Sequence, residues 1–402
     1  MFKKQNVSKQ QADSPLTKVG WLITFGSIPF GSCLPGLPFL LISRIHSLFR
    51  NKDGIHPSPT HPLSKLTIKM FYVFFTVMVI SSALSHYRWN SIPQALGFGL
   101  LLYVYMFGGR CFGILCENLF TQKCLPLMAI GSVVAAIISL IRFFYLDGAY
   151  RAVDLFTSWN GFGTILIFVG GLTITYLKWR GGKWTYLMIP YLILTITTLI
   201  ATKSRGGWFG FLAMLISLTL FSRKTFIILL TTILLLSCIF LTFPPIQNRF
   251  LSSFSTEQNI SRVFIWRSTL NMIKEHPIFG VGTGVFPLIY HQYVLPDAPE
   301  KQVSFAHNLF LQVFAEFGFM GFICFCGILF PVLYMSFRLA KTGNLIYQGV
   351  FSVLIGVLIH QQVDIPIWGF DIGGAFWMLV GLTIGLFECH EGERTVYKDP
   401  IG

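Results

Sequence analysis

Charge is scarce in this sequence. Only 11% of its 402 residues are Asp, Glu, Lys or Arg, less than half of what a soluble domain carries. That shortage excludes a soluble globular enzyme, and the 53% apolar content excludes a disordered chain. Acidic residues are the rarest class, 16 against 30 basic ones, for a net charge of +14. No two of them are spaced as DxD or ExD. A metal-dependent transferase uses such a pair to hold the divalent cation of a diphosphate, so no metal site is expected. The eight cysteines form no framework. They lie in or beside apolar runs, and the Cys324-x-Cys326 pair has no His or Cys partner at zinc spacing. They read as small apolar helix residues, which excludes a disulfide-stapled secreted domain. No repeat at a fixed period is visible.

What the chain has instead is hydrocarbon. Apolar runs cover roughly 19–43, 66–84, 92–108, 125–146, 159–177, 185–202, 206–221, 225–243, 308–337, 345–360 and 372–388. Several approach the ~20 residues that cross a bilayer as a helix. The expected fold is all-α: a polytopic integral membrane protein of about 11–12 transmembrane helices, with one large extracytoplasmic loop containing short helices. Residues 1–243 form the N-terminal transmembrane helices, 244–306 the loop, 307–388 the C-terminal transmembrane helices and 389–402 a short cytoplasmic tail. The first run ends in no small-residue cleavage pattern, so it reads as retained in the membrane. It carries Pro29, Pro35 and Pro38 with Gly31 and Gly36, which argues for a hairpin of two short helices rather than one straight span. With 244–306 placed outside, most Lys and Arg fall in the inside segments, as the positive-inside rule asks. The net positive charge then reflects loops facing anionic membrane lipids, and no nucleic-acid partner is expected.

Cations on the outer side are therefore informative. Lys203 and Arg205 sit in TKSRGGWFG (202–210), where Ser204 can cap a helix starting near Gly206. Exposed N–H groups, a positive helix end and two cations make an anion site, while snorkelling Lys and Arg at a helix end is an equal reading of the same residue types. Arg262 and Arg267 lie in NISRVFIWRSTLNMIKEHPIFGVGTGVF (259–286). There an amphipathic helix capped by Asn259 or Ser261 puts Arg262, Trp266 and Thr269 on one face, and Trp266 fits a helix resting on the bilayer. Pro277 ends that helix, and Gly280, Gly282 and Gly284 form a turn. GVGTG is not a nucleotide fingerprint, because no strand precedes it and no GK[ST] follows. His307 stands where the loop re-enters the membrane, in AHNLFLQVFAEFGFMGF (306–322). On a continuous helix Glu316, nine residues on, points the opposite way and cannot orient it. His360 and Asp364 form a further outer-face pair with no assigned role.

Several cations, one histidine and an apolar approach suit a lipid that carries a diphosphate. Arg clamps such oxygens bidentately, and His can take a proton from an attacking hydroxyl near neutral pH. At these residues the sequence resembles the O-antigen ligase and O-antigen polymerase superfamily of bacterial envelope glycosyltransferases. The elements are SRGGWFG (204–210), SRVFIW (261–266), HPIFGVGTGVF (276–286) and HNLFLQVFAEFGFMG (307–321), in the family's order around one large loop; HQQVDIPIW (360–368) is similar to a further segment of some members. The resemblance implies an inverting, metal-independent sugar transfer without a cofactor, in the bacterial inner membrane with the active site on the periplasmic face. The donor it implies is a glycan on undecaprenyl diphosphate, and the acceptor lipid A-core or another glycan. It carries His307 over as the base and Arg205 and Arg262 as diphosphate binders, with Arg267 and Lys203 as auxiliary cations. A polymerase that extends one lipid-linked glycan from another shares the donor. A transporter is the alternative of another class, since some proteins associated with bicarbonate uptake resemble the same family.

Overall fold

The structure, a computed structural model, describes residues 15–42, 61–115, 117–146, 151–153, 158–221 and 256–398, with a few single positions between 226 and 247. Those residues are helical, in turns or irregular, without a strand among them. The helices are α1 (Pro15–Ser27), α2 (Pro62–Leu84), α3 (Arg88–Leu115), α4 (Leu125–Tyr145), α5 (Trp159–Arg180), α6 (Met188–Ala201), α7 (Arg205–Thr219), α8 (Thr256–Glu275), α9 (Phe286–Tyr293), α10 (Leu309–Ala340), α11 (Leu345–His360) and α12 (Phe370–Lys398). Among the described residues, seven helical stretches are long and apolar enough to cross a membrane, and α11 is a shorter apolar helix. The chain is an all-α, multi-pass membrane protein. The run at 225–243 lies largely outside the described residues.

Local chemistry starts these helices where the sequence places its polar caps. Ser158 Oγ accepts from Gly161 N at the head of α5 (3.2 Å), and Asn344 Oδ1 accepts from Ile346 N at the head of α11 (2.9 Å). The first apolar run breaks as its prolines require. After α1 come two single 3-10 turns, Ile28–Phe30 and Leu34–Gly36. The chain then doubles back, so that Phe39 and Leu40 pack on Gly20 and Gly36 packs on Thr24.

Two contacts organise the bundle. On α3 and α12, Gly109 and Gly113 face Gly381 and Gly385 so closely that a Cβ on any of the four would strike the opposite backbone. Small residues four apart let two helices touch where lipid offers no hydrophobic drive. Beside this seam, Arg110 Nη2 and Nε donate to Glu388 Oε2 at 2.6 and 3.0 Å, both side chains almost wholly buried. In a chain where charge is scarce, this one is buried opposite its counter-ion, the arrangement a low dielectric demands. α5 lies at the centre, buried around its circumference, and its sequence is apolar on every side to match.

Residues 256–306 build a second, smaller core above the bundle, from Ile265, Met272, Val281, Phe286, Ile289 and Tyr290. Helix α8 begins at Thr256, earlier than the Asn259 or Ser261 cap expected. Trp266 packs against this core with its Nε1 buried. It anchors the loop to itself rather than resting on the bilayer, because the helix face it shares with Thr269 turns inward. The outward face carries Val263, Arg267, Leu270 and Lys274.

Helix α10 is broken. Gly318 has φ 64° and ψ −166°, a conformation open to glycine and strained for other residues. The break leaves backbone groups of the neighbouring turns without helical partners, and the loop supplies them. Val281 N donates to Ala315 O (3.0 Å), Gly282 N to Glu316 O (3.0 Å), Phe319 N to Pro277 O (2.8 Å) and Met320 N to Ile278 O (3.2 Å). The GVGTG turn is thus backbone docked into a helix break, with positive φ at Gly280, Gly282 and Gly284.

Candidate active site

Helices α5, α7 and α11 meet at one end. Gly163 and Gly207 bring α5 and α7 into backbone contact, and Gly210 and Gly356 do the same for α7 and α11. Ser204 caps α7 as its position predicts, with Oγ accepting from Gly207 N at 3.3 Å. The same hydroxyl donates to Asn160 Oδ1 (2.8 Å), and Asn160 Nδ2 in turn donates to Asp364 Oδ2. Asp364 lies in the turn that follows α11, where its Oδ1 also accepts from Ile365 N at 3.0 Å.

Asp364 is where the outer-face residues converge. His307 Nδ1 lies 3.3 Å from Asp364 Oδ1, and Arg262 Nη2 lies 3.7 Å from Oδ2. His307 and Arg262 are each about a quarter exposed at the side chain, so this cluster opens to the outside of the bundle. Burial alone would push the Asp364 carboxyl up. The hydrogen bond from His307, with the charges of His307, His360 and Arg262, outweighs burial and holds it below the usual carboxylate range. The carboxylate is therefore ionised near neutral pH. An ionised carboxylate can only accept, so Nδ1 of His307 carries the N–H of this contact, and in a neutral imidazole the lone pair then lies on Nε2.

The backbone fixes His307 in place. It precedes α10 rather than belonging to it, with φ 51°, uncommon for a residue bearing a Cβ. Asn308 caps α10 through Leu311 N (3.1 Å) and donates from Nδ2 to Gln362 O (3.1 Å). Leu309 N donates to Gln361 O at 2.9 Å. The start of α10 is thereby stitched to the turn that carries Asp364. A helix running on continuously from His307 does not form, because α10 starts two residues later and breaks at Gly318.

Of the predicted residues, His307 and Arg262 come together directly. Arg205 is the first residue of α7 and half-buried, and its neighbour Gly206 packs on His360 and Val363, which places Arg205 beside the Asp364 turn. Lys203 has its ammonium over the Phe143 ring of α4, 5.8 Å from the centroid. Arg267 lies on the exposed face of α8. His360 is fully buried, with Nδ1 at 2.9 Å from Thr164 Oγ1 in the α5–α11 contact, and its backbone carbonyl accepts from Asp364 N at 3.2 Å. Glu316 does not reach His307, as expected. Sequence reasoning passed over Asp364, Asn160 and Ser204 as site members. The signal for Asp364 was its rarity, one of 16 acidic residues and set between two apolar runs at the level of His307. Among the described residues no group of His, Cys, Asp and Glu is arranged to hold a metal ion.

An imidazole oriented by a carboxylate, with guanidinium groups beside it, can take up a proton and hold an anion. Residues 190–326 match the O-antigen ligase family. The matched span runs from α6 through the loop into α10 and includes Arg205, Arg262 and His307; Asp364 lies beyond it. That match covers about a third of the chain and is a similarity of this segment to the family. An uncharacterized protein of Haemophilus influenzae (strain ATCC 51907 / DSM 11121 / KW20 / Rd) is 28% identical over 196 residues, 43% of this chain and 49% of that protein. The chain thus matches about half the length of that curated relative.

Proposed function

We propose that the protein is an O-antigen ligase-like glycosyltransferase of the bacterial inner membrane. It moves a glycan from undecaprenyl diphosphate to a hydroxyl of lipid A-core or a similar acceptor on the periplasmic face. The observation that carries this reading is the convergence of His307 and Arg262 on Asp364. Asp364 holds Nδ1–H, so Nε2 of His307 takes the proton of the acceptor hydroxyl. The hydroxyl oxygen attacks the anomeric carbon from the face opposite the diphosphate. The bond from that carbon to the diphosphate oxygen breaks, and the electron pair leaves with the diphosphate. Inversion follows from the single displacement. Arg262 and Arg205 stabilise the negative charge that develops on the leaving group, the role a divalent cation fills elsewhere. Arg262 rests on Asp364 and moves to the diphosphate when the donor enters.

The transporter reading loses ground on one observation. The broken helix, which in a transporter lines a path, is here filled by the backbone of residues 277–282. A polymerase shares every feature of the donor site. The deciding experiment has two parts. In purified protein in lipid discs, His307→Ala and Arg262→Ala should abolish transfer from a lipid-linked glycan while the proteins insert and accumulate; full activity of His307→Ala would end the base assignment. In a deletion strain, loss of all long chains from the anchor lipid indicates a ligase, capping with a single repeat indicates a polymerase, and an unchanged glycan profile indicates neither.

A further inference from the structure

Glu316 is buried in α10 and far from the chemistry, seven residues into the helix or roughly 10 Å along its axis. Each oxygen of its carboxyl group has a separate donor. Oε1 accepts from Gly284 N at 3.0 Å and Oε2 from Trp368 Nε1 at 3.2 Å. Its backbone carbonyl accepts from Gly282 N (3.0 Å) and from Ser81 Oγ (2.7 Å).

These partners belong to different parts of the chain. Gly282 and Gly284 close the turn that follows α8, the helix of Arg262. Glu316 itself belongs to α10, whose start is tethered next to His307. Trp368 ends the short connection that begins with Asp364, and its ring packs on Phe317 and Phe98 at 6.0 and 5.7 Å between centroids. The three segments that deliver Arg262, His307 and Asp364 therefore meet twice, once at the reacting end and once at Glu316.

We propose that Glu316 is a positioning residue of the transfer reaction: by joining the GVGTG turn, α10 and the Asp364–Trp368 connection, it sets the spacing at which Arg262, His307 and Asp364 meet. The proposal rests on the reading above that these three residues carry the reaction. A carboxylate suits the place because it accepts on both sides. Glutamine there turns an NH2 group toward Gly284 N–H or the indole N–H, donor against donor, and alanine strands two buried donors. A misplacement of about 1 Å at a reacting group costs on the order of a hundredfold in rate.

A merely structural glutamate would lower the yield of folded protein and leave the chemistry of the remainder alone. The test uses full-length protein in lipid discs, with Glu316→Gln and, in case that variant accumulates poorly, Trp368→Phe, which keeps a ring against Phe317 and removes one N–H. Turnover of a lipid-linked glycan should fall ten- to a hundredfold per folded molecule. Per folded molecule, the loss should fall on kcat rather than on the KM for the lipid-linked donor. Glu316→Gln combined with Asp364→Asn should be no more than about twofold slower than Asp364→Asn alone, since both act through one dyad. Cleavage within 276–285 by an added protease should rise in both single variants, which reports the loop without reference to activity.

A wild-type kcat in both Glu316→Gln and Trp368→Phe overturns the proposal. Fully multiplicative losses in the double variant overturn it as well. If Asp364→Asn itself transfers glycan at the wild-type rate, the dyad reading fails and the proposal falls with it. If Asp364→Asn is impaired and both Glu316→Gln and Trp368→Phe are not, the positioning role alone falls.

Discussion

Replacing Asp364 with asparagine changes one atom and tests how the site works. The carboxylate sits 3.3 Å from His307 Nδ1 and 3.7 Å from Arg262 Nη2. Two unit charges 3.3 Å apart attract by roughly 1–3 kcal/mol at an effective dielectric of about 40–80, suited to a site that opens to water. Losing that support for the imidazolium as it forms costs about ten- to a hundredfold in kcat. A second loss adds to the first. If the asparagine NH2 turns toward His307, Nδ1 becomes an acceptor, the ring proton moves to Nε2 and the base is blocked, as in hydrolase triads where the same change misdirects the histidine. Together the two effects predict a fall in kcat of about 10²- to 10³-fold. The assay is single-turnover and steady-state transfer from a lipid-linked donor by protein in lipid discs, across pH 5–9. Less than a threefold loss would refute the base-and-orienter mechanism.

The other predictions concern the support of the site. Gly318→Ala places a Cβ at φ 64° against the backbone of Ile278 and Phe279. It should lower the melting temperature and loosen the loop, at a cost of at least about 1–3 kcal/mol from the backbone conformation alone; unchanged thermal stability would mean that the helix break needs no glycine. Arg205→Lys keeps the charge and loses the fork, so it should bind the donor diphosphate poorly; the check is the KM for donor, which a merely snorkelling Arg205 would leave alone. Asp364 also predicts a pH dependence of stability. Its folded-state pKa is held below the ordinary carboxylate value of about 3.9, so its stabilising contribution is complete above that value and lost as pH falls through the lower folded one. The melting-temperature gap between wild type and Asp364→Asn should be flat from pH 7 to 5 and narrow below pH 4, and a gap that widens on acidification would reverse the assigned shift.

Much of this architecture is legible in the chain because its determinants are local. A bilayer selects apolar runs about one span long, and prolines and glycines at 29–38 are enough to bend the first of them back. Ser204 before a glycine pair announces the cap of α7, and the ordered motifs around the loop bring Arg205, Arg262 and His307 forward as candidates. None of these inferences needs a contact between residues distant in sequence.

What tertiary structure alone decided is which of those residues meet. His307 finds its carboxylate 57 positions away in Asp364, and Asn160 reaches the same carboxylate across 204 positions. No periodicity encodes such pairings; they depend on glycine contacts that draw α5, α7 and α11 together. The same packing turned Trp266 inward, left Arg267 outside, drew Lys203 toward Phe143, and made the GVGTG turn the filling of a broken helix. Hydrophobicity is written residue by residue along a chain, whereas a shared hydrogen bond exists only once the chain has closed on itself.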